Sequence, residues 1–272
     1  MPDPAALITL LVLMLILGAM AGVISGLLGV GGGIVLVPAF FYMFTQLGYG
    51  SDQVMQVCLG TSLATIIATS LRSVSAHHRK GAVDWAVLRG WWPFIAGGAV
   101  AGFFLAAALK SGTLQAIFGV LALAAGLYMA FGRSGWRLGS AMPTGALRAA
   151  LGAALGFASA LMGIGGGTFG VPMMTLYGMP IHRAVATASG FGIIIAVPTV
   201  AGFLTVSVAN PPPYTFGAVN LPAFAIIVAM SMITTPYGVA LAHRMDAAPL
   251  KRAFAVFISL VALNMLRKVL GW

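Results

Sequence analysis

Long apolar runs of similar length, separated by short polar breaks, make up nearly the whole chain. They cover roughly 5–28, 34–47, 53–76, 85–108 and 113–131, then 147–162, 168–178, 184–206, 220–242 and 250–266. No strict apolar–polar alternation runs through them, so the pattern predicts helices rather than strands. Most runs reach the roughly 20 residues that span a bilayer. Lipid admits only helices or closed barrels, because every backbone polar group must be satisfied internally. The pattern therefore predicts an all-α integral membrane protein. The runs 34–47 and 168–178 are short: at about 1.5 Å per residue, fourteen helical residues reach only about 21 Å, against a hydrocarbon core of about 30 Å.

Each short run follows a glycine cluster. Ser25-Gly26-Leu27-Leu28-Gly29-Val30-Gly31-Gly32-Gly33 leads into the first, and Ser159-Ala160-Leu161-Met162-Gly163-Ile164-Gly165-Gly166-Gly167 into the second. Both short runs carry a Val-Pro pair, at Val37-Pro38 and Val171-Pro172. Glycine weakens a helix interior by about 1 kcal/mol against alanine. Membrane helices break only where the freed backbone is buried in protein or lines a cavity. Two such breaks at matching places in two halves point to a transport site.

The repeat extends further. Gly81-Ala82-Val83-Asp84 answers Gly217-Ala218-Val219-Asn220, and Gly60-Thr61-Ser62 lies near the counterpart of Ala186-Thr187-Ala188-Ser189. The chain reads as one transmembrane domain over 1–272, built from repeats at 5–131 and 146–268 joined by a basic linker at 132–145. Each repeat holds about five helical segments, one of them a short broken helix after a Gly-rich turn.

Composition agrees: 60% of residues are hydrophobic and 7% charged, with mean hydropathy +1.04. A formal charge of +10 would suit a nucleic-acid partner. However, the basic residues sit in short loops, where they set orientation in the lipid bilayer, and no nucleic acid is expected. Five segments per half, with Arg133, Arg137 and Arg148 cytoplasmic, also put Arg72, Arg79, Lys80, Arg89, Arg183, Arg244, Lys251 and Arg252 inside. Only Lys110, Arg267 and Lys268 then face outside. Four crossings per half would move Arg183, Arg244, Lys251 and Arg252 outside. The first arrangement follows the positive-inside bias better, so inverted halves with both termini outside are expected. The leader Met1-Pro2-Asp3-Pro4 lacks Lys and Arg, so 5–28 reads as a span rather than a signal peptide.

The doubled glycine motif, its Val-Pro pairs, the Thr/Ser-rich helices that follow and the Gly-Ala-Val-Asp/Asn starts resemble the sulfite exporter TauE/SafE family. The resemblance covers nearly the whole chain. It implies a multi-pass permease of the bacterial inner membrane for small sulfur-containing anions: sulfite, sulfonates or related organosulfur compounds. A channel-like anion uniporter is the nearer alternative, and a membrane-embedded assembly factor or enzyme the more distant one.

Several residues suit an anionic substrate. Glycine turns followed by a helix N-terminus present backbone N–H groups to oxyanions, which nominates Gly29, Gly31, Gly32, Gly33, Gly163, Gly165, Gly166 and Gly167. Pro38 and Pro172 would kink the short helices and hold their ends open. The hydroxyls of Ser25, Ser159, Thr61, Ser62, Thr187 and Ser189 can bind oxyanions without burying charge. Arg72, Arg183 and His182 could attract the anion, or simply anchor helix ends at the interface. Gly18 and Gly97 read as helix packing, Asp84 and Asn220 as helix caps, and Trp85, Trp91 and Trp92 as an interfacial belt.

The absences narrow the chemistry. The chain has no Glu, and Asp3, Asp52, Asp84 and Asp246 all avoid the middle of a span. A carboxylate proton relay is not expected. Passive uniport, coupling through a loop histidine, and a proton carried on the substrate stay open. No nucleophile–base pair, metal cluster or Walker motif occurs, so neither enzyme activity nor a cofactor is expected. Homo-oligomerisation is left open.

Overall fold

The computed structural model describes residues 4–132, 136–244 and 247–269. Met1, Pro2, Asp3, Arg133, Asp246 and Trp272 lie outside the described residues, as do the side chains of Lys251 and Arg252. Ten helices carry the described chain: α1 (Pro4–Leu28), α2 (Gly33–Gln46), α3 (Val54–His78), α4 (Trp85–Ala108), α5 (Ser111–Phe131), α6 (Gly145–Met162), α7 (Gly167–Leu176), α8 (Ile181–Phe203), α9 (Leu221–Ala242) and α10 (Ala247–Val269). A two-residue antiparallel pair, β1 (Thr215–Phe216) with β2 (Val219–Asn220), precedes α9. Every end lies within three residues of the sequence expectation. Apolar run length decides helix length here, because polar loop residues cannot enter lipid. Among the described residues seven helices are long and apolar enough to cross a membrane.

The caps follow from side-chain chemistry. The Asp84 carboxylate accepts the N–H groups of Ala86 and Val87, and the Asn220 side-chain carbonyl accepts that of Ala223. These satisfy first-turn donors that have no intrahelical partner. Pro38 and Pro172 lie five residues into α2 and α7. Neither can donate to the carbonyl one turn back, so Ile34 and Thr168 each keep a free carbonyl at the start of a short helix.

Glycines decide which helices meet. Gly18, Gly22 and Gly26 of α1 lie against Ile227, Ser231 and Thr235 of α9. Gly98 and Gly102 of α4 lie against Ala153 and Phe157 of α6, and Gly156 returns the contact at Ile95. Small residues four apart let backbones approach closely where lipid supplies no hydrophobic drive between helices. The Ser231 hydroxyl donates to the Gly18 carbonyl at 2.8 Å and the Thr234 hydroxyl to that of Ala19 at 3.0 Å, fastening the first pair. Gly97 meets nothing within 4 Å; its neighbour Gly98 does the packing expected of it. Trp91 departs from the expected belt. It is 2% exposed, on the same face as Val87 and Ile95 and packed over Gly152. Trp85 and Trp92 are exposed.

Both glycine-packed pairs run parallel, since their contacts rise together along both chains. Two further cross-half pairs run antiparallel: Gly60 of α3 faces Phe203 of α8 while Gly192 faces Ser70, and Gly119 of α5 faces Leu266 of α10 while Gly126 faces Ala255. With chain reversals between α3 and α4, α4 and α5, and α8 and α9, helices α1, α3, α5 and α9 run one way. Helices α4, α6, α8 and α10 run the other. Helices α3 and α8 form the centre, 83% and 72% buried, against 28–44% for the other spans.

Candidate functional site

Both helix breaks come together beside α3 and α8. Helix α1 ends with the Gly29 N–H on the Ser25 carbonyl at 3.0 Å, and Gly29, Gly31 and Gly32 then take φ of 66°, 74° and 77°. Side chains at those angles crowd the following carbonyl, so glycine is required. The second break uses one left-handed residue, Gly163, at φ 63°.

The remaining glycines are there because the two breaks touch. The Gly165 N–H donates to the Val30 carbonyl at 3.0 Å. A Cβ at Gly167 would meet the Gly29 carbonyl, one at Gly33 the Gly163 carbonyl, and one at Gly165 the Val30 carbonyl. A Cβ at Gly166 would strike Phe191. Backbone therefore packs on backbone. The N-termini of α2 and α7 start at this junction; the Val35 and Leu36 N–H groups donate to the Gly32 carbonyl at 3.1 and 3.2 Å, and among the described residues those of Gly33, Ile34, Gly167, Thr168 and Phe169 have no backbone acceptor.

The hydroxyl candidates divide by partner. Ser62 donates to the Gly163 carbonyl at 2.7 Å and Ser189 to the Ala186 carbonyl at 2.6 Å. The Thr61 hydroxyl accepts the Asn220 N–H at 2.9 Å, and the Thr187 hydroxyl accepts the Asp84 N–H at 2.9 Å. These two bonds mirror each other: a threonine of one half holds the Gly-Ala-Val-Asp/Asn start of the other. By contrast, the hydroxyls of Ser25, Ser159 and Thr168 are buried with no hydrogen-bond partner among the described residues. A buried polar group left unpaired costs free energy unless something binds it. Ser25 and Ser159 stand at matching positions, four residues before Gly29 and Gly163.

A cavity enclosing about 60 Å³ reaches this junction from the end of the bundle where α3 and α9 finish and α8 begins. Leu28, Val30, Gly167, Thr168, Pro172 and Val185 line its depth, and His77, His182 and His243 line its mouth. Of the expected site residues, Gly167, Pro172 and His182 face the cavity. The others pack behind or beside it. Arg183 is tied at 2.9 Å to Asp84. The Nε of Arg72 is buried with no hydrogen-bond partner among the described residues.

Sequence reasoning passed over Thr168, His77 and His243. Thr168 follows the last glycine of the second break directly, where the first break has Ile34. His77 and His243 sit in basic clusters that read as interface anchors. Among the described residues no group of three or more His, Cys, Asp or Glu is arranged to hold a metal ion.

A profile described as "Sulfite exporter TauE/SafE" matches residues 14–265. A probable membrane transporter protein of Haemophilus influenzae is 32% identical over 265 residues, covering 96% of this chain and 99% of its own length. A probable membrane transporter protein of Methanocaldococcus jannaschii is 26% identical, covering 94% of this chain and 96% of its own. One of Bacillus subtilis is 31% identical over 198 residues, covering 65% of this chain and 72% of its own. No solved structure matches.

Proposed function

Because the chain belongs to the sulfite exporter TauE/SafE family and is a multi-pass membrane transporter, we propose that it is a secondary carrier of small sulfur oxyanions, sulfite or sulfonates. The anion would sit at the junction of the two breaks. The observation that carries this is the set of unpaired buried hydroxyls on Ser25, Ser159 and Thr168: Thr168 lines the cavity at the start of α7, and Ser25 and Ser159 lie behind it, each four residues before the first left-handed glycine of its break. Hydroxyls and first-turn N–H groups bind an oxyanion without a buried countercharge. The absence of carboxylates from this wall leaves nothing to repel it.

We also read the halves as inverted across the membrane. The helices α1, α3, α4 and α5 each run opposite to their counterparts α6, α8, α9 and α10, which supports this reading. The linker end would be cytoplasmic. The cavity opens at that end, while the matching region of the other end is filled by buried Phe203 and Phe103, 5.2 Å apart edge to face. A site open on one face and shut on the other favours a carrier over a channel.

Flux into proteoliposomes, with a panel of sulfite, thiosulfate, sulfoacetate, taurine and sulfate, tests the substrate class. We expect saturable uptake of at least one sulfur anion, with counterflow. Ser159→Ala should raise its half-saturation concentration about tenfold, the effect of one lost hydrogen bond to a charged group, and should leave the melting temperature unchanged. Electrical conductance without counterflow would establish a channel instead, and indifference to the whole panel would remove the substrate assignment.

Orientation has a separate test. The native Cys58 is buried, so single cysteines can be labelled against a silent background. Ser51→Cys and Ala209→Cys should react with an impermeant maleimide from outside the cell, and Lys80→Cys only after lysis. The opposite pattern would turn the protein over.

A further inference from the structure

The three histidines at the cavity mouth form a connected set. His77 Nδ1 lies 3.2 Å from His243 Nε2, and His77 Nε2 lies 3.1 Å from the Gly26 carbonyl. The His182 ring stacks over that of His243 with centroids 6.1 Å apart. A carbonyl can only accept, so His77 Nε2 must carry a hydrogen. In the neutral pair His77 Nδ1 is then the acceptor and His243 Nε2–H the donor. This leaves the lone pair of His243 Nδ1 available, on an exposed residue. One added proton there keeps the bond between the rings intact. A second would set two imidazolium N–H groups against each other.

We propose that His77, His182 and His243 form a proton-linked anion site, at which a small oxyanion enters the cavity together with one proton held by the imidazole pair. This rests on the carrier reading above and adds the coupled ion. The balance is simple: the neutral imidazole pair, one anion and one proton from solvent give a complex whose imidazolium faces the anion, with no bond made or broken beyond N–H. The relay is also wired to the substrate junction. His77 holds the Gly26 carbonyl in the last turn of α1, and the Ser73 hydroxyl holds the Ser25 carbonyl beside it at 3.4 Å.

The surrounding charges make an anion the natural partner of that proton. Burial, then Lys80, then His182 push the pKa of His243 below the usual imidazole range. An arriving anion opposes the charge of Lys80, which would otherwise repel the proton, and so draws it onto the pair. The other nearby titratable groups are engaged: His78 Nδ1 accepts the Trp85 indole N–H at 3.1 Å, Arg183 is bound to Asp84, and Tyr128 on α5 bonds to Thr175 on α7. Arg79 and Arg244 are exposed at the rim. The opposite end of the bundle lacks this chemistry. The offset that pairs Thr61 with Thr187 also pairs His77 with Phe203 and His182 with Gln56. There Phe203 is fully buried and Gln56 donates to the Ala106 carbonyl at 3.2 Å. Proton-dependent entry is thus built into one face only.

The test measures anion affinity and proton uptake in weakly buffered detergent solution with a pH dye. The probes are methanesulfonate and thiosulfate, which keep their charge between about pH 6 and about pH 8, so any proton taken up belongs to the protein. The wild type should bind a probe with about one proton, and its affinity should rise about tenfold per unit fall in pH, the slope of one-proton linkage. His243→Gln, on an exposed residue, should flatten that slope and abolish proton uptake. His77→Gln, which can still donate to Gly26, should do the same while staying monodisperse. Binding with no proton uptake, or a slope kept in both variants, overturns the relay while leaving the carrier intact. If neither probe binds at any pH, the anion-carrier reading falls, and the relay with it.

Discussion

Leucine at Gly167 should cut transport by about a hundredfold or more, the scale expected when a site is displaced by an ångström. The Cβ would meet the carbonyl carbon and oxygen of Gly29 and the nitrogen of Val30. All three atoms are backbone, so no side chain can swing aside. Helix α7 would have to move off α1, and the Gly165–Val30 hydrogen bond would open with it. Gly31→Ala should be far milder. Its Cβ would press on the branch carbons of Ile66 at 3.0 and 3.1 Å, side-chain atoms rather than backbone, and the left-handed backbone adds about 1–2 kcal/mol of strain. Gly97→Leu and Gly112→Leu serve as controls, since nothing lies within 4 Å of either. The readouts are proteoliposome flux and the monodisperse fraction on size exclusion. Wild-type flux from Gly167→Leu would break the link between the junction and transport.

The second large effect concerns the mirrored threonines. Thr61→Val and Thr187→Val keep shape but remove the side-chain acceptors of the Asn220 and Asp84 N–H groups. Each change should cost about 1–3 kcal/mol, the penalty for an unsatisfied buried donor. Thermal melting in detergent should fall in each single variant, and further in the double. Substrate affinity of the folded fraction should not change. If these hydroxyls met the anion directly, affinity would fall and melting would hold, which is the opposite split.

Helix identity was legible because run length alone sets it in lipid. The doubled glycine motif and the paired Gly-Ala-Val-Asp/Asn starts were legible too, and they fall at matching helix breaks and helix starts. Pairing between helices was not. The stripe Gly18, Gly22, Gly26 marks a packing face, but nothing along the chain says that its partner is Ile227 to Val239. The helix breaks were legible at the glycines, whose chemistry announces itself locally, and Ser25 and Ser159 stand at their edges with unpaired hydroxyls. The roles of Thr61 and Thr187 were hidden, because their partners lie 159 and 103 residues away. His77 and His243 were hidden for the same reason: each looks like one more basic residue at a membrane edge until the fold sets 3.2 Å between them.

The glycine-packed pairs carry a consequence for assembly. Helix α1 embraces α9, the counterpart of α4, and α6 embraces α4 in return. Each repeat therefore lends an arm to the other, and neither can cover its own glycine stripe alone. On the inverted reading proposed above, this exchange of arms makes the two halves depend on each other for their packing.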